Sequence, residues 1–386
     1  MEHLESTKKK NIALLLPVLS GGGAERVASE LSRFLGREGH NVFVFTEKRY
    51  TDYEYAGRIV LLKPRKIQSQ IGKDAGDLYC LAREIKRKKK EFGIEVAISF
   101  MEQYNLANIL SKRNEKVMIR LCTTLSARKD LTGFYHNRLV LNMLYNRADE
   151  IVVLSKYGKR DMIQNYGIKK SKLMVIPNAV IPRDFDKSIS WEYGQKVILT
   201  VNKINSIKQQ GILIDAFERI VQRIPEAQLV LVGDDRTSYA SKMKRKVKQL
   251  GLSERVSFVG RVQNVEYYMK NSQVFVITSK VEGFPNVVVE AMNQGMPIVS
   301  LDFPGASRDI LGIPKQLGYG KYGVMVPMID EDNKGADYKV KIKKLSDIIL
   351  EFLTNQELSQ HYRGQAKKRA KYYNKDKIEA LWKRII

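Results

Sequence analysis

Cysteine and histidine are scarce in this chain of 386 residues, which has two cysteines and four histidines. Cys80 and Cys122 could form at most one bridge, so a disulfide framework is excluded, and a histidine-rich metal site has little material. No run of about 18 apolar residues, the length of a membrane-spanning helix, occurs. The apolar stretch 11–19 is too short for a span and lacks the cleavage site of a signal peptide. We therefore expect a cytosolic protein without structural zinc.

The chain also lacks the short motifs of several enzyme classes. No HExxH, CxxC or GxSxG pattern occurs, which leaves zincins, zinc ribbons and serine hydrolases without support. The segment Asp330-Glu331-Asp332 resembles a DxD metal-binding triplet, but it stands in a polar stretch with Asn333 and Gly335. We interpret this triplet as a turn and expect no metal site.

Acidic residues are too few to balance the basic ones, since 42 Asp and Glu face 67 Lys and Arg, a net charge of +25. A positive field of this kind attracts nucleic acid, anionic lipid or phosphorylated substrates. No helix-turn-helix, RRM or zinc-finger pattern supports a nucleic-acid-binding protein, so we expect no nucleic-acid partner. The densest basic run, Lys86–Lys90, suits either a solvated helix face or contact with an anionic membrane.

Short apolar runs alternate with helical patterns along the whole chain, and this alternation predicts βαβ units. The strand-like runs of the first half are Ile12–Leu19, Val42–Thr46, Ile94–Phe100, Val117–Cys122 and Glu150–Leu154. Those of the second half are Val197–Val201, Leu229–Val232, Val256–Val259, Val274–Thr278 and Ile298–Leu301. We therefore predict an α/β fold with two Rossmann-like, doubly wound domains that face each other across a cleft.

Domain boundaries follow from the proline-containing polar stretch between the two series. We predict an N-terminal Rossmann-like domain over residues 1–180, a linker over 181–195 and a second Rossmann-like domain over 196–370. Residues 371–386 would form a C-terminal helix that could pack back on the first domain. Ligands of such sheets bind at the carboxyl ends of the strands.

Two carboxylates flank the predicted start of a helix in the segment Glu282-Gly-Phe-Pro-Asn-Val-Val-Val-Glu290. Pro285 suits a first helical turn, and the helix would run from Asn286 to about Gln294. The unpaired amides of a first turn favour a phosphate. Glu282 in the loop and Glu290 one turn into the helix could hold different parts of one polyol ligand, although Glu290 could equally face solvent.

Two further segments leave predicted strands and enter helices. Lys203 and Lys208, five residues apart after the strand Val197–Val201, could clamp a diphosphate as point charges, or could be ordinary surface lysines. The Gly21–Gly23 loop would let the backbone approach a ligand closely, or could be a plain turn.

These segments together resemble the family 4 glycosyltransferases, which are retaining enzymes of GT-B architecture. The stretch from Glu282 to Glu290 is similar to their E-x7-E signature, and Val201-Asn-Lys-Ile…Lys208 to their V-G-R-L…K-G stretch. Ser20-Gly-Gly-Gly-Ala-Glu-Arg-Val resembles their glycine-rich loop, in the form seen in polysaccharide-assembly enzymes. The resemblance extends from about residue 11 to the end of the chain. It implies that the first domain handles the acceptor and that the second binds the nucleotide-sugar.

The resemblance implies a role for each matching residue. Glu282 would contact the donor sugar, Glu290 the ribose hydroxyls, and Lys203 and Lys208 the diphosphate, with Glu282 and Lys208 as the catalytic pair. The remaining donor-binding residues implied by the resemblance are Gly22, Gly23, Arg261 near the base, Phe284, Pro285, Asn286 and Val287.

The sequence departs from the family pattern in the second segment and after the fifth strand. Asn202 and Lys203 replace the usual Gly-Arg, which substitutes a point charge for a bidentate fork. Gln209 stands where a glycine usually follows the lysine. The histidine that many relatives carry after the fifth strand is absent from Arg120–Ser126, so its family role is not carried over, and Thr123 or Thr124 could occupy its space.

The function implied by the resemblance is a retaining, metal-independent glycosyltransferase of hexosyltransferase type, without a cofactor. It would transfer a sugar from a UDP- or GDP-linked donor to a glycan or lipid-diphosphate-linked acceptor in capsule or cell-envelope polysaccharide synthesis. Its place would be the cytoplasm or the inner face of the cell membrane, with an anionic membrane surface as a possible partner. The alternative is a sugar-nucleotide epimerase or phosphorylase on the same fold.

Overall fold

The computed structural model describes residues 8–65, 73–128, 133–181 and 191–386, so residues 182–190 of the predicted linker lie outside the described residues. The chain forms two compact units. The first comprises the described residues up to Asn178 together with Glu379–Ile386, and the second runs from Ala179 to Ile378.

The first unit is built on a sheet of parallel strands with helices in the connections. Its strands are β1 (Asn11–Leu15), β2 (Asn41–Thr46), β3 (Arg58–Leu61), β4 (Val96–Phe100), β5 (Lys116–Arg120), β6 (Glu150–Val153) and β7 (Leu173–Val175). Its helices are α1 (Gly23–Arg37), α2 (Lys73–Glu91), α3 (Glu102–Leu110), α4 (Arg138–Tyr145) and α5 (Lys156–Tyr166). The central strands are buried on both faces, which is why they appear in the sequence as continuous apolar runs.

The second unit repeats this plan, with one antiparallel strand at an edge. Its strands are β8 (Val197–Val201), β9 (Gln228–Val232), β10 (Val256–Gly260), β11 (Val274–Ile277), β12 (Ile298–Leu301), β13 (Gly318–Tyr319) and β14 (Val324–Val326). Its helices are α6 (Gln210–Val221), α7 (Ser238–Gln249), α8 (Val265–Asn271), α9 (Asn286–Asn293), α10 (Ser307–Leu311), α11 (Ala336–Thr354), α12 (Gln356–Ala370) and the start of α13 (Lys375–Lys383).

The strand order reverses once in each sheet, and this reversal positions the functional loops. The first sheet has the order β3-β2-β1-β4-β5-β6-β7, and the second has the order β10-β9-β8-β11-β12-β14-β13. The chain therefore moves outward from β1 or β8 and then returns to the other side of the same strand. Doubly wound sheets bind ligands outside the carboxyl ends of the strands at such a switch point. In the second unit the switch point lies between β8 and β11.

The end of the chain returns to the first unit. From Glu379 onward the residues belong to that unit, where Lys10 Nζ donates to the Ile386 carbonyl at 2.5 Å and Lys116 Nζ donates to the Ile385 carbonyl at 2.7 Å. Within the second unit, Val180 N donates to the Tyr373 carbonyl at 2.9 Å, so the segments that enter and leave this unit lie side by side.

The predicted α/β class with two doubly wound sheets is confirmed, and the differences concern short elements. Each predicted apolar run contains a parallel strand, but β1 ends at Leu15 rather than Leu19. The strands β3, β7, β13 and β14, of two to four residues each, were not predicted. Among the described residues, no helix is both long and apolar enough to cross a membrane.

Candidate active site

The two segments that the sequence singled out meet at the switch point of the second sheet. The lysine segment follows β8 and the glutamate segment follows β11, and these strands are hydrogen-bonded neighbours. Because parallel strands end at the same edge of a sheet, residues that are far apart in the chain lie together there. Lys208 Nζ forms an ion pair with Glu282 Oε1, although the two residues are 74 positions apart.

The ion pair is partly covered and held from several sides. Both side chains keep less than a fifth of their surface exposed. Ser279 Oγ donates to the same Glu282 oxygen at 2.8 Å. The backbone of the lysine is held by Asn205 Oδ1, which accepts from Lys208 N at 3.1 Å, and by Thr278 Oγ1, which donates to the Lys208 carbonyl at 2.8 Å. The cation and the carboxylate are therefore presented on an ordered loop.

The helix α9 begins beside this pair, close to where the sequence predicted it. It starts at Asn286, with Pro285 immediately before the first helical residue, and Gln294 and Gly295 end it. Val288, Val289, Ala291 and Met292 are buried, while Asn286, Glu290 and Gln294 form a half-buried stripe. The predicted polar face is therefore present, and Glu290 lies one helical turn beyond Asn286.

Two other parts of the E-x7-E loop are fixed by packing. Phe284 is buried, and its ring meets Tyr373 edge-on with centroids 5.5 Å apart. Gly305, with φ of +145°, approaches the Glu282 carbonyl so closely that a Cβ atom there would overlap it, and Glu282 N donates to the Pro304 carbonyl at 3.2 Å. Position 305 therefore requires glycine, because both its backbone angle and its neighbour exclude a side chain.

Lys203 and Arg261 are exposed at the same edge of the second sheet. The loops after β8, β9 and β10 are joined by backbone hydrogen bonds, from Ile204 N to the Asp234 carbonyl at 2.9 Å and from Gly233 N to the Gly260 carbonyl at 2.8 Å. Lys203 and Arg261 therefore stand on adjoining loops, whereas Lys208 and Glu282 are in direct contact. Their roles toward a ligand stay predictions.

Gly22 and Gly23 lie in the first unit, where β1 gives way to α1. The side chain of Glu25 is 7% exposed and folds back over the start of this helix. Its carboxylate lies against Gly22, where a Cβ atom would overlap it. Burial raises the pKa of Glu25, and its own backbone amide opposes that rise. The glycine at 22 therefore accommodates an internal carboxylate, a contact that the sequence analysis missed.

The acidic triplet forms the turn that its composition predicted. Asn333 N donates to the Asp330 carbonyl at 3.2 Å. Lys280 Nζ lies 2.5 Å from Asp332 Oδ2 and 3.5 Å from Asp330 Oδ1, and the hydrogen bond from Lys280 lowers the pKa of Asp332. Glu331 accepts instead from the Tyr239 hydroxyl. Across the described ranges, no group of three or more His, Cys, Asp or Glu residues could hold a metal ion.

The arrangement places a cation, a carboxylate and the start of a helix at one edge of a sheet. A lysine beside a helix N-terminus can stabilise a diphosphate, both as a bound group and as a leaving group. A carboxylate can accept hydrogen bonds from sugar hydroxyls. Sequence reasoning missed Ser279 and Gly305, whose only signals were their positions, three residues before Glu282 and four residues after the strand β12.

Two family models match the chain in succession. The model described as Glycosyltransferase Family 4 matches residues 21–183, and the model described as Glycosyl transferases group 1 matches residues 183–312. The first match contains the glycine loop, and the second contains Lys203, Lys208, Glu282 and Glu290.

Similar proteins include enzymes of glycan assembly. The chain is 25% identical to the N-acetylgalactosamine-N,N'-diacetylbacillosaminyl-diphospho-undecaprenol 4-alpha-N-acetylgalactosaminyltransferase of Campylobacter jejuni. The alignment spans 378 residues and covers 96% of this chain and 97% of that protein. It is 23% identical over 309 residues to an amylovoran biosynthesis glycosyltransferase of Erwinia amylovora, over 78% of this chain and 83% of that protein. The crystal structure of Anabaena HepE in complex with UDP has the same fold, with a TM-score of 0.74, 18% identity and coverage of 97% and 99%.

Proposed function

Because the chain belongs to the family 4 glycosyltransferases, we propose that it transfers a sugar from a UDP- or GDP-linked donor to a glycan or lipid-diphosphate-linked acceptor, with retention of anomeric configuration. The observation that carries this proposal is the Lys208–Glu282 pair at the switch point between β8 and β11. Lys208 would stabilise the departing diphosphate, and Glu282 would hold hydroxyls of the donor sugar.

The nucleotide would extend from this pair along α9 and the neighbouring loops. Glu290 stands one turn into the helix, where it would hold the ribose hydroxyls while Glu282 holds the transferred sugar. Lys203 would add a second point charge to the diphosphate, and Arg261 would lie near the base. The charge of the diphosphate would thus be balanced by Lys203, Lys208 and the start of α9, without a metal ion.

The acceptor is the part of the proposal that draws on the relatives. The Campylobacter enzyme is named for an acceptor in which a sugar is linked to undecaprenol through a diphosphate, and the Erwinia enzyme for amylovoran biosynthesis. We propose the same class of work for this chain, namely assembly of a capsule or cell-envelope polysaccharide by a hexosyltransferase.

Work on a lipid-linked acceptor would take place at a membrane surface, and one face of α2 supports this. Tyr79, Arg83, Lys86 and Lys90 are exposed at helical spacing, with no acidic residue among them. The run Lys86–Lys90 as a whole is not one exposed face, however. Lys89 is buried, while Arg87 and Lys88 pair with acidic residues of the same helix. We therefore narrow the proposed contact with anionic lipid to the exposed stripe.

The proposal is tested by incubating the protein with a panel of UDP- and GDP-sugars and a lipid-diphosphate-linked saccharide. We expect one donor to yield an extended acceptor of retained configuration, read by mass spectrometry and NMR. EDTA should leave this activity nearly intact, and Lys208→Ala should lower it by roughly 10²-fold, the scale of a lost charged transition-state contact.

Other products of the same assay would contradict the proposal. A rearranged nucleotide-sugar would indicate an epimerase, and a sugar released by phosphate would indicate a phosphorylase. Activity that EDTA abolishes and manganese restores would overturn the metal-independent mechanism.

A further inference from the structure

Gln209, the residue after the paired lysine, has an unusual backbone. Its φ and ψ are +50° and +45°, in the left-handed region, and it is one of two described non-glycine residues with positive φ. This conformation is uncommon for a residue with a Cβ atom and costs free energy, so it persists only where the surroundings impose it. The side chain of Gln209 is fully buried, which locates those surroundings.

Three hydrogen bonds hold the buried amide of Gln209. Its Nε2 donates to the Thr278 carbonyl at 3.1 Å and to the Ile329 carbonyl at 3.3 Å. Its Oε1 accepts from Glu331 N at 3.1 Å. The side chain thus joins the lysine loop to the end of β11 and to the acidic turn Asp330–Asp332. A glycine at this position could adopt the backbone angles without strain but could make none of these bonds.

The acidic turn is linked to the same loop at two further points, through Tyr239 and through Lys280. The Glu331 carboxylate accepts from the Tyr239 hydroxyl, which itself accepts from Gly211 N at 3.0 Å, at the start of α6. On the other side, Lys280 pairs with Asp332, and Lys280 N donates to the Ile207 carbonyl at 2.7 Å. Ile207 and Gly211 flank Lys208 and Gln209 in the chain. Hydrogen bonds that lead back to the acidic turn therefore hold the loop on both sides of Lys208.

We propose that Gln209 and the acidic turn form a brace that positions Lys208 against Glu282, so that Gln209 is a positioning residue for the diphosphate site. The proposal rests on the proposed function and explains two features of the sequence together, the glutamine after the lysine and the acidic triplet. In this proposal the triplet serves the site through its hydrogen bonds and its ion pair with Lys280. Lys208 is flexible and long, and its placement depends on the backbone that carries it.

A double-mutant cycle tests the brace through the affinity for UDP and GDP, measured by calorimetry, and through kcat with the active donor. The variants are Gln209→Ala, Lys208→Ala and the combination of both. Gln209→Ala should weaken nucleoside diphosphate binding and lower kcat by about 10- to 100-fold, the scale of a misplaced contact. In the Lys208→Ala background the same change should alter either quantity by less than about twofold, because the brace acts through Lys208.

Two further variants separate positioning from stability. Asn355→Ala removes the N-cap of α12, whose Oδ1 accepts from Leu358 N at 3.0 Å, and should lower the melting temperature without changing affinity or kcat. Gln209→Gly relieves the backbone strain but removes the three bonds. Its melting temperature should therefore be nearer to that of the wild type than that of Gln209→Ala, while its loss of affinity should be the same. If Gln209→Ala does not fold, Gln209→Gly replaces it in the test.

Equal effects of Gln209→Ala with and without Lys208 would overturn the brace, as would wild-type affinity in Gln209→Gly. The failures are distinguishable from each other. A wild-type protein that binds UDP or GDP but transfers no sugar contradicts the proposed function, and the binding cycle still decides on the brace. A wild-type protein that binds neither nucleotide overturns both.

Discussion

At the scale of single residues, Glu282 and Glu290 are expected to do different work although both belong to one motif. Glu282 is paired with Lys208 and accepts from Ser279, whereas Glu290 lies on the half-buried stripe of α9. Glu290→Ala should weaken UDP or GDP binding by about 10- to 100-fold, because a hydrogen bond to a charged acceptor contributes about 1.5–3 kcal/mol. Glu282→Ala should lower kcat strongly and leave nucleotide affinity equal or higher, since Lys208 then has no carboxylate partner.

The matched control for these variants is Gln294→Ala, which removes a polar side chain one turn further along the same stripe. It should change affinity and kcat less than about twofold, within the usual range of surface substitutions. Calorimetry with the nucleotides and initial rates with the donor provide the two readouts. If Glu282→Ala and Glu290→Ala have small and equal effects, the division of roles within the motif is wrong.

At the scale of elements, a buried ion pair joins α2 to its neighbours in the first unit. Lys89 Nζ lies 2.7 Å from Glu115 Oε1, just before β5, and donates to Asn108 Oδ1 of α3 at 2.7 Å. Both side chains of the pair are almost fully buried. Breaking such a pair leaves an uncompensated charge in the interior, which costs several kcal/mol, whereas replacing both partners by apolar residues costs far less.

The pair predicts a defined stability change with mutation and with pH. Lys89→Met should lower the free energy of unfolding by about 3–5 kcal/mol, and Lys89→Met/Glu115→Leu should recover part of that loss. Burial lowers the pKa of Lys89 to about 8, and Glu115 opposes this. The unfolded chain, with a lysine pKa of about 10.4, binds more protons between these values, so this group makes stability rise with pH from about 8 to 10.4.

The measurement is urea unfolding of the wild type and the double variant between pH 7 and 10.5. The difference between their free energies should grow in favour of the wild type over that interval, because the double variant lacks the titrating group. A difference that stays constant or falls with rising pH would contradict a depressed pKa at Lys89. A Lys89→Met variant as stable as the wild type would show that the Lys89–Glu115 pair does not contribute to stability.

At the scale of the whole molecule, the net charge of +25 could attract an anionic membrane as a whole or through one basic face. Bulk charge draws any polyanion, and salt screens it. Basic residues on a membrane-docking face should contribute more to vesicle affinity than the same number of basic residues elsewhere on the surface. The stripe Arg83, Lys86 and Lys90 of α2 can be compared with Lys242, Arg245 and Lys248 of α7, which are likewise exposed basic residues of a helix.

Replacing either set by glutamine removes the same net charge. We expect the α2 variant to lose up to about 10²-fold in affinity for anionic vesicles, at about 1 kcal/mol for each basic residue near the surface, and the α7 variant to lose little. Sedimentation with vesicles at increasing salt, together with melting temperatures, provides the measurement. Equal losses from the two sets, or equal binding to neutral and anionic vesicles, would remove the membrane face while the transferase assignment stands.

The sequence by itself determined the architecture and the family. Buried parallel strands are continuous apolar runs, and amphipathic helices repeat every 3.6 residues, so both signals are local and survive without any knowledge of packing. The helix α9 illustrates this, because Pro285, the polar stripe and Gly295 are read within one short segment. The E-x7-E spacing and the lysine segment then identified the family, which the family models confirm.

Only the tertiary structure decided which of these residues act together. Lys208 meets Glu282 because β8 and β11 are neighbours, and the strand order that makes them so depends on pairings between distant parts of the chain. Nothing local distinguishes buried Lys89 from the exposed lysines beside it, since its fate depends on where Glu115 and Asn108 lie. The brace at Gln209 likewise consists of contacts to Thr278, just after β11, and to residues 329–331. Periodicity reports which face of an element is apolar, whereas charge placement is set by what the folded chain brings opposite to it.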